Sequence, residues 1–248
     1  MRARDGEHPA PPLAKPRALR IVMPVLDEAR HLRERLLDLQ SLRKRGVELV
    51  VVDGGSVDDT VAVARPLADR VLSAPRGRAT QMNAGAQNGV PSGDDVLLFL
   101  HADTQLPEQA DTLLRQAVSD GAVWGRFDVR IDSPSWLLRC VSTLMNLRSR
   151  LTGIATGDQA MFVRREAFDA AGGFPAIALM EDIGLCIALK QIAPCTCLKA
   201  RVITSARRWQ ARGPMRTLLL MWRLRAAYFF GADPEHLAVR YGYRPRDS

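Results

Sequence analysis

The stretch LLFLHADTQLP, residues 97–107, decides how this chain is read. Val96 to Leu100 is a continuous apolar run of the length expected for one strand buried on both faces. It stops abruptly at His101-Ala102-Asp103. Why a buried strand should end in an imidazole and a carboxylate two residues apart is the question the rest of the chain has to answer.

Upstream the same rhythm repeats. ALRIVMPV (18–25) reads as a strand, and DEARHLRERLLDLQSLRKR (27–45) as a helix with the apolar stripe Leu32, Leu36 and Leu39 and Asp27 as its N-cap. VELVVVD (47–53) is a second buried strand, followed by the turn GGSVDD and a short helix through Ala68. DRVLSA (69–74) is a third strand and RGRATQMNAGAQNG (76–89) a glycine-bounded loop and helix. PEQADTLLRQAVSD (107–120) is the helix after the opening motif. This alternation predicts βαβ units, an α/β fold with a mostly parallel central sheet, and helices on both faces. Ligands of such sheets lie beyond the carboxyl ends of the strands. Asp27 and Glu28, then Asp53, then His101 and Asp103 should therefore converge on one crevice.

After Gly121 the rhythm changes. AVWGRFDVRI (122–131) reads as a strand, PSWLLRCVSTLMNLRSRL (134–151) as a helix, and TGIATGDQAMFVRR (152–165) as a loop leading into a strand. LMEDIGLCIALKQI (179–192) is a helix, CTCLKARVITS (195–205) a strand, and PMRTLLLMWRLRAAYFF (214–230) a long apolar helix. The expected organisation is a disordered arm over 1–18, rich in proline, alanine and charge, and one domain over 19–248. Within it, 121–248 reads as a platform built on the sheet of 19–120.

Composition bounds the function. The formal charge of +8 is carried by arginine, with only four lysines, which favours an anionic ligand or surface. A basic nucleic-acid-binding module is the rival on charge alone. The arginines look scattered, however, and no basic run is interleaved with aromatics. Four cysteines show neither zinc spacing nor a disulfide framework, so a reduced, cytoplasmic protein is expected. No run reaches the length of a membrane span. The helix Pro214–Phe230 has the composition of an interfacial helix. Its apolar content favours a core helix under that platform, with at most weak, salt-sensitive membrane contact.

Each motif has a plain alternative. Asp103 could hold a hard divalent cation or cap the helix near Pro107. Asp53 could accept a nucleobase N–H or serve a tight βα turn. Arg78, Gln81 and Asn83 could face a phosphate at a helix start or simply be solvated. Glu181-Asp182 could supply a general base or only complement a helix dipole. Arg207, Arg208 and Trp209 could clamp a phosphate or form a surface patch.

Taken in order, IVMPVLDE, VVDGGSVDDT, GRATQMNAGA, HAD, GDQAMFVRREAFDAAGGFP and MED resemble glycosyltransferase family 2, enzymes of the GT-A fold, from Leu19 to about Tyr243. HADTQLP, WGRFDVRI, TGIATGDQ, LMEDI and TSARRW look closest to the bacterial subgroup associated with arsenosugar biosynthesis. The resemblance implies a nucleotide-diphosphate sugar donor, Mn²⁺ or Mg²⁺, a small-molecule or lipid-linked acceptor, and inversion by single displacement, with 19–120 as the nucleotide-binding half and 121–248 as the acceptor half. It places Pro24, Glu28, Asp53, Arg78, Asn83, His101 and Asp103 on the donor, with His101 and Asp103 also on the metal. It places Trp124, Asp158, Gln159, Arg208 and Trp209 on the acceptor side, and Asp182 with Glu181 as the base. Two departures stand out. His101 occupies the place of the first carboxylate of D-x-D, and Ser205 stands where processive members carry glutamine in Q-x-x-R-W. The second departure, with the lack of membrane spans, argues against sugar polymerisation. A nucleotidyltransferase acting on a sugar phosphate is the other enzyme reading, but PVLDEAR follows the first strand where that class carries a glycine-rich phosphate loop.

Overall fold

The structure is a computed structural model, and it describes residues 18–88 and 95–243. The predicted arm over 1–18 lies, but for its last residue, outside the described residues. The apolar runs form the strands the sequence predicts: β1 (Leu19–Val25), β2 (Val47–Asp53), β3 (Arg70–Ser73) and β4 (Val96–Phe99). Helices α1 (Ala29–Asp38), α2 (Gln40–Lys44), α3 (Thr60–Ala64) and α4 (Arg78–Gln87) connect them. A two-residue β5 (Thr104–Gln105) and α5 (Ala110–Ser119) follow. The remaining elements are β6 (Trp124–Asp132), α6 (Trp136–Thr152), β7 (Met161–Arg164), α7 (Arg165–Ala170), α8 (Glu181–Lys190), β8 (Thr196–Ser205), α9 (Arg207–Arg212), α10 (Pro214–Phe229) and α11 (Pro234–Tyr241).

The eight strands among the described residues join one sheet in the order β3-β2-β1-β4-β7-β6-β8-β5. β1 pairs in parallel with β2 and β4, β2 with β3, and β6 with β8. The sheet is less uniform than the βαβ rhythm suggests, because β7 runs antiparallel to both β4 and β6, and β5 antiparallel to β8. One apolar layer packs Leu32, Leu36 and Leu114 against the face of the sheet carrying Ile21, Met23 and Leu98. The other packs Met82, Phe168, Phe174 and Leu185 against the face carrying Val22, Val52 and Leu97.

Three local expectations give way. The helix over 27–45 breaks at Leu39 into α1 and α2, and Asp27 does not cap it. Asp27 sits at φ 51° and its carboxylate accepts the Val57 amide, while Asp58 of the next βα turn accepts the Ala29 amide. The two turns are thus stitched to each other, and Asp58 answers the first amide of α1 from across the gap. Finally, α10 is not a core helix: only Thr217 and Leu224 are buried in it. Among the described residues no helix is long and apolar enough to cross a membrane. All four cysteines are free.

Candidate active site

A crevice of about 310 Å³ opens at the carboxyl ends of β1 and β4. Pro24, Glu28, Arg78, His101, Asp103 and Arg208 all line it. The H-x-D turn is held from both sides: the Thr104 amide donates to the His101 carbonyl at 3.0 Å, and the Ser205 amide of β8 donates to the Asp103 carbonyl at 3.1 Å. Asp103 is therefore fixed by strand pairing. It does not cap α5, which begins at Ala110 behind Gln109.

His101 Nδ1 lies 3.4 Å from Asp158 Oδ1. Ligand atoms of His101, Asp103 and Asp158 all lie within 4.8 Å of one another. Two carboxylates and an imidazole at such spacing form a donor set suited to Mn²⁺ or Mg²⁺. Burial works to raise the Asp158 carboxyl, but its His101 hydrogen bond and the charges of His101, Arg208 and Arg78 hold it down to about 2. The Cε1–Nε2 edge of the imidazole packs against a glycine, since a Cβ at Gly157 would fall 2.3 Å from His101 Nε2. The same Gly157 donates its amide to Asp182 Oδ2 at 3.0 Å. One backbone unit thus places the His101 ring on one side and the MED carboxylate on the other.

Glu181 and Asp182 open α8 behind Met180, a buried non-glycine residue at φ 70°. The other two described non-glycine residues with positive φ, Asp27 and Ala160, follow β1 and the GDQ turn. All three left-handed residues border the crevice or the segments that feed it, as stored backbone strain at working sites does. Asp182 accepts the Gly157 and Ile183 amides. Glu181 is only 5 % exposed, and burial together with the Asp182 charge pushes its carboxyl up to about 7. Arg78, His101, Asp158, Arg208 and both acids line one connected cavity.

Other expected contacts are committed elsewhere. Trp124 is fully buried in β6 and its indole N–H donates to the Ala193 carbonyl at 2.7 Å, so it faces the core and not an acceptor. Gln159 is fully buried, closing a capping box with Thr156 and donating to Asn146 and Ser149. Asn83 bridges the N–H and C=O of Phe174 at 2.9 Å each. Asp53 turns into its own loop, accepting the Gly55 amide and the Ser56 amide and hydroxyl. Gln81 ties the ends of β1 and β2 together through the carbonyls of Val25 and Val52. Trp209 lines a neighbouring groove with Arg208.

Several contributors escaped the sequence reading. Tyr241 and Tyr243 close one wall of the crevice, with Arg208 stacked 4.7 Å over the Tyr241 ring and Arg76 4.9 Å over Tyr243. Only the Tyr-Gly-Tyr spacing marked them. Arg126 is fully buried on β6, paired with Asp128 and donating to the Asn146 carbonyl. WGRFDVRI shows that pair as ordinary strand alternation.

With this geometry in place, the sequence matches the family model described as Glycosyl transferase family 2 over residues 20–171. The chain belongs to that family. Its fold is the GT-A fold. TarS from S. aureus (residues 1–349) superposes with a TM-score of 0.60 at 15 % identity, covering 76 % of this chain and 60 % of that one. The mannosyltransferase PcManGT from Pyrobaculum calidifontis, determined with GDP-Man and Mn²⁺, superposes with a TM-score of 0.60 at 22 % identity, covering 87 % of this chain and 62 % of that one. The chain thus spans about three-fifths of the length of both structures. No curated protein matches the sequence.

Proposed function

We propose that this family 2 chain transfers one sugar from a nucleotide-diphosphate donor to an acceptor hydroxyl with inversion, residues 19–248 acting as a single catalytic unit. The observation that carries the reading is the shared position of Gly157, which sets the His101-Asp103-Asp158 cluster beside Glu181-Asp182 at the ends of β1 and β4. His101, Asp103 and Asp158 would hold Mn²⁺ or Mg²⁺, which when bound offsets charge on a departing diphosphate. Arg78 and Arg208 add fixed positive charge at the same place. Asp182 takes the acceptor proton as the new C–O bond forms, and the bond to the diphosphate breaks with its electron pair leaving on oxygen. The amides of Gly157 and Ile183 hold that carboxylate in place, and orientation of this kind supports such a step.

PcManGT, a neighbour in fold, carries GDP-Man and Mn²⁺, which supports the donor class and the cation. The finer assignment, to arsenosugar biosynthesis with a small-molecule or lipid-linked acceptor, rests on HADTQLP, TGIATGDQ, LMEDI and TSARRW. A thermal-shift series with UDP and GDP, with and without Mn²⁺, tests the reading. One nucleotide diphosphate should raise Tm only when Mn²⁺ is present, and Asp103→Ala should remove that rise. Failure of every nucleotide diphosphate to stabilise the protein with Mn²⁺ would break the proposal. Stabilisation by a nucleoside triphosphate with a sugar phosphate alone would favour nucleotidyl transfer.

A further inference from the structure

α6 and α10 each turn an apolar stripe to solvent. On α6 it consists of Trp136, Cys140, Leu144, Leu147 and Leu151. On α10 it consists of Met215, Leu219, Trp222, Ala226 and Phe229, with Phe230 just beyond at 92 % exposure. The steps of three and four residues keep each set on one side of its helix. The two helices border a single groove, to which α6 gives Leu144 and Arg148, α10 gives Trp222 and Arg225, and α9 gives Trp209. The stripes therefore flank one surface.

That surface is strongly basic. α6, α9 and α10 together carry nine arginines and no aspartate or glutamate. The chain's net charge of +8 is thus concentrated here and not scattered. Arg150 and Arg207 pair with Asp128 and Glu28, whereas Arg139, Arg216 and Arg223 make no ion pair among the described residues. Helical spacing sets Arg216 and Arg223 along one edge of the α10 stripe and Arg225 along the other. Beside the groove, Nε and Nη2 of Arg148 and Nε of Arg225 are buried without a hydrogen-bond partner among the described residues.

Three occupants could cover exposed apolar stripes edged with arginine. A second copy would set arginine against arginine across a two-fold axis with no carboxylate on these helices to answer them. Nucleic acid would satisfy the arginines but leave leucine and phenylalanine against phosphate and water. An anionic bilayer satisfies both, taking apolar side chains into the headgroup boundary while phosphates meet the arginines. We infer that α6 and α10 dock this protein on an anionic lipid bilayer. The docking stands on the surface alone. That the acceptor enters from the membrane side rests on the transferase reading: Asp158, Arg208 and Tyr241 line both the groove and the cavity holding Glu181 and Asp182.

The experiment is sedimentation of the full chain with phosphatidylglycerol–phosphatidylcholine vesicles and with pure phosphatidylcholine vesicles. The protein should pellet with the anionic vesicles and bind the neutral ones far more weakly. Leu219→Asp combined with Phe229→Asp should abolish pelleting at low and high salt, and both sites are exposed enough that Tm should hold. Arg216→Gln and Arg223→Gln should each lower partitioning about fivefold at low salt and less at high salt. UDP or GDP binding with Mn²⁺, measured on the same variants, should be unchanged. Loss of nucleotide binding by the parent protein would count against the transferase reading and leave the docking intact. A wild-type protein that stays in the supernatant with both vesicle types would overturn the inference. So would pelleting by the Leu219→Asp/Phe229→Asp variant, duplex DNA binding lost on Arg216→Gln in place of vesicle binding, or a dimer in analytical ultracentrifugation that the same double variant dissolves.

Discussion

The first half of the chain, from Leu19 to Gln105, and the second, from Trp124 onward, use polar side chains in different ways. Between Leu19 and Gln105 the polar side chains at the βα turns are answered largely by backbone: Asp53 by Gly55 and Ser56, Asp58 by Ala29 and Thr60, and Gln81 by Val25 and Val52. Beyond Trp124 the interior contains charge under stress. Arg126 is wholly buried, Glu181 is pushed up to about 7 by burial and Asp182, and burial with the nearby Arg225 charge lowers Arg148 to about 10. Satisfied polar groups rigidify, while desolvated charges gather where chemistry or ligands need them. The turns of the first half therefore read as a fixed cradle, and the second half as the region where burial shifts ionisable groups from their ordinary range.

The comparison breaks most visibly at Asp182. Asp182→Asn keeps an oxygen for the Gly157 amide but removes the basicity. Transfer should fall at least about a hundredfold while affinity for the nucleotide-diphosphate donor persists. Steady-state kinetics with donor titration by calorimetry separates the two. Normal transfer by Asp182→Asn together with a dead Glu181→Gln would swap the roles of the two acids. If neither change mattered, the active part of the molecule would lie elsewhere and the contrast between halves would lose its meaning.

Glu181 gives the next effect, and its sign is fixed. Its folded value, about 7, lies above the ordinary 4.5, so between those values the folded chain binds more protons than the unfolded one. Stability owed to this group is present at low pH and lost as pH rises through that window. The shift corresponds to about 3 kcal/mol. Glu181→Gln should thus stabilise the protein by up to ~3 kcal/mol at pH 8 and by little at pH 5. Urea unfolding at the two pH values measures it, and an equal gain at both would show that Glu181 is not held protonated by burial.

The same contrast explains what the sequence could disclose. β1, β2 and β4 were legible because each is an apolar run closed by a polar residue, and the convergence of His101 and Asp103 at a crevice followed from strand direction. The antiparallel placement of β7 between β4 and β6 was not, since no local pattern encodes strand orientation. Asp53 and Asn83 left a ligand-facing reading open because a polar residue near a turn or helix start looks alike whether it meets substrate or backbone, and Gln159 faced the acceptor only through the resemblance. α10 misled through its composition: Leu224 faces inward and Leu219 outward, and apolar content alone does not tell the two sides apart. Asp158 was assigned to the acceptor, and only the fold carries its carboxylate back to His101.

Trp124 offers the smallest and sharpest comparison. The family resemblance places it against the acceptor, whereas the structure buries it in β6 with its indole N–H on the Ala193 carbonyl. Trp124→Phe retains most of the apolar contact but removes that donor, leaving a carbonyl without its partner in the interior. Such a loss costs about 1–3 kcal/mol, reduced if water reaches the carbonyl. The variant should therefore unfold at lower urea concentration, with the acceptor KM and kcat of the folded enzyme unchanged. A KM raised several-fold at unaltered stability would mean that the ring reaches the acceptor during turnover. In that case β6 would have to move on substrate binding, and the second half of the chain would be mobile at a position where the resting structure packs it as tightly as the first.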